Sequence, residues 1–135
     1  MSKTIQQKMH HQHRQWQSDS ETWRSDIDEW KKELRVALGD LREVEDMLRD
    51  SLDALAVHAD SVWENEQRRC AHELALRAEA KSGAAKKTDK AWAKTHRQHA
   101  VRHERMANAH ARIKKYQHKV VAGVKRLLRA ARKGM

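Results

Sequence analysis

Apolar residues along this chain recur in steps of three and four, the spacing of a single stripe on an α-helix. The first part carries tryptophan at a seven-residue interval, Trp16, Trp23 and Trp30. Met9 precedes them in phase, and Ser20, Ile27, Leu34 and Leu38 fill the same stripe. This is a heptad seam, the pattern of a helix that packs lengthwise on another helix. A tryptophan buries on the order of 200 Å², so the expectation is a core seam. The alternative is an exposed aromatic ladder that receives a partner.

A second stripe runs through Leu41, Val44, Leu48, Leu52, Leu55, Ala59 and Val62, then turns polar at Glu66, Cys70 and Glu73. The stretch from Lys81 to Thr88 reads as a loop, with Thr88 placed to cap a new helix and Asp89 suited to its positive end. The third stripe begins Trp92, His96, His99, His103, Met106, His110 and Ile113, and continues through Gln117, Val120, Val124 and Leu127. Four histidines stand where leucines are expected.

Gly39 sends two signals. Gly39 followed by Asp40, with Glu43 three residues on, reads as a helix stop and a new capping box. Against this, Ala37, Leu41, Val44 and Leu48 keep the earlier phase, as one uninterrupted helix would. A turn at Gly39 divides the chain into three segments of similar length. The expected fold is therefore an antiparallel three-helix bundle, one domain over 1–135 with helices at about 3–38, 41–80 and 88–132. The alternative is a single helix to about residue 80, roughly 120 Å long at 1.5 Å per residue, with a return helix and dimerisation. In the bundle, Met9 and His13 would meet Glu66, Cys70 and Glu73, which in turn meet His96, His99 and His103.

Composition supports an all-α class. There is no proline and there are four glycines in 135 residues, so little can interrupt a helix. Hydrophobic residues make up 39% and the mean hydropathy is −1.04, which suits long helices with narrow seams better than a globule. The single cysteine, Cys70, excludes an intrachain disulfide and suggests a reducing compartment. The N-terminal stretch lacks an apolar signal-like region, and no run of eighteen apolar residues occurs. A soluble, cytoplasmic protein is expected.

The net charge of +10 is unevenly spread. From Gly39 to Ser82 there are six basic and eleven acidic residues, whereas from Gly83 onward sixteen basic residues face only Asp89 and Glu104. The two segments should attract when packed together. The surplus leaves a basic face of Lys114, Lys115, Lys119, Lys125, Arg126, Arg129, Arg132 and Lys133, which makes nucleic acid or another acidic surface a possible partner. No helix-turn-helix, zinc-finger or basic-zipper pattern accompanies it.

Candidate chemistry lies with the histidines. His99 and His103 are one helical turn apart, and Glu66 and His96 could complete a set of ligands for zinc or another transition metal, with Cys70 nearby. Yet no Glu-x-x-His, His-Glu-x-x-His or Cys-x-x-Cys occurs. The competing readings are a polar seam that fixes register and orientation, and an interface sensitive to pH. His58, His72 and His118 fall off the stripes and receive no role. His10, His11 and His13 resemble a solvated surface tract. No nucleophile with an evident base and no glycine-rich phosphate loop appears, so the expectation is a non-enzymatic interaction or scaffold protein that pairs with itself or a protein partner.

Overall fold

The computed structural model describes residues 2–83 and 88–134. They form two helices, α1 (Lys3–Ser82) and α2 (Asp89–Lys133), with no strand among the described residues. The long helix with a return helix is the architecture observed, and the three-helix bundle is not formed. The helices expected at 3–38 and 41–80 are one helix, because α1 passes through Gly39 without a break.

The reason is cooperative. A glycine inside a helix costs about 1 kcal/mol, whereas a turn exposes unsatisfied backbone groups at two new helix ends. Gly39 stands on the outer face of α1, and no atom lies within 4 Å of where a side chain would begin. Without a turn there, the arrangement that set Met9 and His13 beside Glu66, Cys70 and Glu73 loses its basis.

Local capping defines the ends. Ser2 Oγ accepts a hydrogen bond from the Ile5 amide at 3.3 Å. After Ser82 the chain leaves the helix at Gly83, whose φ of +63° is the left-handed conformation that glycine adopts without strain. Residues 84–87, the middle of the expected loop, lie outside the described residues. Thr88 caps α2 as expected: it is extended, and its hydroxyl accepts from the Ala91 amide at 3.1 Å.

The chain divides into two compact units, Met1–Leu55 and Ala56–Met135. The first is a stretch of α1 alone, where Trp16, Trp23 and Trp30 are 58%, 61% and 57% exposed. The second is an antiparallel hairpin of the end of α1 with α2. On α1 its half-buried positions include His58, Asn65, His72 and Glu79, one per heptad. On α2 they include Trp92, Thr95, His99, Arg102, Met106, Ala109 and Ile113. The α2 stripe is thus rotated from the one expected: Thr95, Arg102 and Ala109 take the inner line, while His96, His103 and His110 move to an exposed rim. At a rim an imidazole can keep a ring nitrogen hydrated, which spares the cost of burying an unpaired polar atom.

Replacing the two glycines should separate their roles. Gly39→Ala should stabilise the chain by about 1 kcal/mol through helix propensity, and Gly83→Ala should destabilise it by a similar amount through its positive φ. Urea unfolding followed by circular dichroism measures both. A destabilised Gly39→Ala variant would show a turn at that position.

Candidate functional site

The hairpin brings together a ladder of polar side chains. His72 of α1 lies against three residues of α2, with ring centroids 5.5 Å from Trp92, 6.0 Å from His96 and 4.7 Å from His99. Two heptads earlier on α1, His58 Nε2 sits 3.1 Å from His110 Nδ1, and the two rings stack 5.3 Å apart. Asn65, midway between these histidines on α1, and His103, midway between His96 and His110 on α2, line the same cleft. Three polar layers therefore follow one another at heptad spacing along the hairpin.

The proposed metal ligands Glu66, His96, His99 and His103 all border that cleft, which has a volume of about 840 Å³. They share the space without converging. Among the described residues, no three His, Cys, Asp or Glu side chains come together where an ion could sit. Glu66 is held instead by its neighbour on α1: Arg69 Nη2 and Nε donate to its two oxygens at 2.7 and 3.0 Å. That fork holds the Glu66 carboxyl below its ordinary range and raises the Arg69 guanidinium above its own. Cys70 is half-buried beside the pair, donating to Glu66 Oε1 at 3.7 Å and receiving Arg69 Nη2 at 3.4 Å. A metal bound through Glu66 would first have to displace this arginine.

The described ion pairs also run along α1: Arg49–Glu45, Arg69–Glu66 and Arg77–Glu73, each one helical turn apart. All are exposed, so water screens them and they add little to stability. None of them joins α1 to α2. The expected attraction between the acidic and basic segments is not expressed in these close contacts.

Electrostatics single out His99. Its pKa is depressed, first because packing in the hairpin removes water from the ring, and then because of positive charge at His72, Arg102, His96 and Arg68. The Nε2 of His72 is itself shielded from water and has no hydrogen-bond partner among the described residues. The His58–His110 contact needs one ring to donate and the other to accept.

His58 and His72, which the sequence stripes left without a role, are therefore central. A usable signal was present: continuing the tryptophan register in sevens from Trp30 gives Ala37, Val44, Ser51, His58, Asn65, His72 and Glu79. Following the nearest leucines instead shifted the stripe to Glu66, Cys70 and Glu73. Comparison with protein-family models, curated proteins and solved structures gives no match.

Because the folded chain disfavours the His99 imidazolium, the unfolded chain binds that proton more readily. The contribution to stability is complete above the ordinary imidazole pKa near 6.5 and is lost as pH falls from there toward the depressed folded value. The thermal midpoint should be lower at about pH 5.5 than at about pH 7.5, and His99→Leu should shrink that difference. Equal midpoints at both pH values in the parent chain would show that the cluster carries no such linkage.

Proposed function

We propose that this chain is a non-enzymatic interaction or scaffold protein that works by coiled-coil-type pairing of α1. The observation that carries the reading is the tryptophan ladder, placed on an unbroken helix and more than half exposed at each rung. Monomeric proteins seldom leave large contiguous apolar patches in water, and regular aromatic stripes of this kind mark sites of association. Ile27, Leu34, Leu38 and Leu41 continue the exposed stripe, at 44–65%. An isolated helix also draws most of its stability from packing of its apolar face, so α1 gains order from a partner helix.

The polar hairpin complements this role. A seam of imidazoles and an amide contributes less free energy than leucines do, but it admits fewer registers and partners. On this reading the hairpin closes on itself while the ladder stays available. No described helix is long and apolar enough to cross a membrane, and we place the protein in the cytoplasm, where its single thiol would stay reduced.

A second reading rests on the exposed basic run of α2 from Lys114 to Lys133, which suits nucleic acid or another acidic surface. Its mark would be binding that weakens steeply as salt rises. The exposed tryptophans favour protein pairing as the principal role, because this second reading leaves them unused.

A photo-reactive residue replacing Gln17, beside the ladder, should form a covalent protein adduct in the producing cell. The same residue replacing Ser25, on the outer face, should not. Trp16→Ala/Trp23→Ala/Trp30→Ala should reduce the Gln17 adduct more than tenfold, since interface tryptophans commonly contribute 2 kcal/mol or more each. An adduct indifferent to the ladder, or none at all, would end the pairing reading.

A further inference from the structure

The residues flanking the ladder form two rows of different charge. Immediately after the tryptophans come Gln17, Arg24 and Lys31; three residues after them come Asp19, Asp26 and Glu33. These two rows border the seam on its opposite sides, and all but the half-buried Asp19 and Asp26 are exposed. One border is basic or neutral and the other is acidic throughout. In a two-stranded coiled coil such borders meet across the interface and set partner choice and orientation.

From this pattern we infer that the ladder's partner is a second copy of the same chain, lying parallel and in register. In that arrangement each acidic-border residue faces the basic-border residue five positions further along the other helix. Asp19 then meets Arg24 of the second copy and Asp26 meets Lys31 of the second copy, and two-fold symmetry makes each pair twice. Reversing one helix instead sets like borders together. Asp19, Asp26 and Glu33 would face the same acidic row, and Arg24 and Lys31 would face each other. Like charges held across a seam destabilise it, so the antiparallel alternative is disfavoured.

The seam itself fits the parallel register. Pairing like with like places Trp16, Trp23 and Trp30 on their own counterparts, separated by the smaller layers Ser20 and Ile27. Large and small layers then alternate, which lets flat rings interleave. His13 and Ser20 form polar layers beside the first tryptophans, and a polar layer in this position resists slippage by a heptad. The same rule also bounds the pairing. At Asp40 the residue opposite is Glu45 of the second copy, a like-charge contact, so the favourable run covers the ladder and ends near Leu38. Trp16, Trp23 and Trp30 of two copies, at roughly 200 Å² for each full ring burial, supply much of the apolar area in an interface of about 1,600 Å².

This inference rests on the pairing reading above, and its test can fail separately. The full chain should have twice its 15.8 kDa mass by sedimentation equilibrium. In a Cys70→Ser background, Ser20→Cys and Leu34→Cys should each be captured as a covalent dimer by a short thiol cross-linker, because only the parallel in-register form brings like residues together at both positions. Asp19→Lys/Asp26→Lys should weaken self-association at least tenfold, and adding Arg24→Glu/Lys31→Glu should restore it. A dimer that resists cross-linking at either position would overturn the orientation and leave ladder pairing intact. A monomer at high concentration, with a ladder-dependent adduct of another protein in the cell, would overturn the second copy as occupant. A monomer with no such adduct would remove both.

Discussion

The unbroken phase of α1 is the constraint on which the rest depends. A helix whose apolar positions recur every seven residues presents them along one line, and α1 keeps this line from Met9 to Glu79 without insertion or deletion. The line changes character in three stages. It is aromatic at Trp16, Trp23 and Trp30, small at Ala37, Val44 and Ser51, and polar at His58, Asn65 and His72. The last stage belongs to the hairpin unit, where His58 and His72 meet histidines of α2. The chemistry of the line thus changes in stages along a single register.

Much of this was legible in the residues. The absence of proline made continuous helix the default, and Thr88 with Asp89 marked the start of α2 correctly. The end of α1 at Ser82, before Gly83, likewise agrees with the loop expected from Lys81 to Thr88. Gly39 was harder. Its local signals, a left-handed residue and a capping box, describe a turn, and they lose to a global one, the phase of the seam. Local signals of about 1 kcal/mol decide only where continuity does not oppose them.

The histidines show a different limit. Sequence spacing placed His96, His99, His103 and His110 on one stripe, but a stripe of two adjacent lines permits either of its flanks to face inward. Thr95, Arg102 and Ala109 take the inner side, so of the four histidines His99 alone is half-buried. Glu66, His96, His99 and His103 border one cleft, and Arg69 holds Glu66 from one turn away along the same helix. Short-range charge pairs form at little entropic cost, whereas convergence of ligands from two helices needs a designed geometry.

The connection between α1 and α2 has a kinetic consequence. His72 and Trp92 are close in sequence, so the hairpin closes by local contacts, which form quickly and at any protein concentration. The tryptophan ladder belongs to the first unit, a stretch of α1, and precedes the hairpin in order of synthesis. At roughly 5–20 residues per second, the rungs leave the ribosome on the order of ten seconds before the last turn of α2 is made. During that interval the aromatic rungs are available and the polar layers are not yet complete.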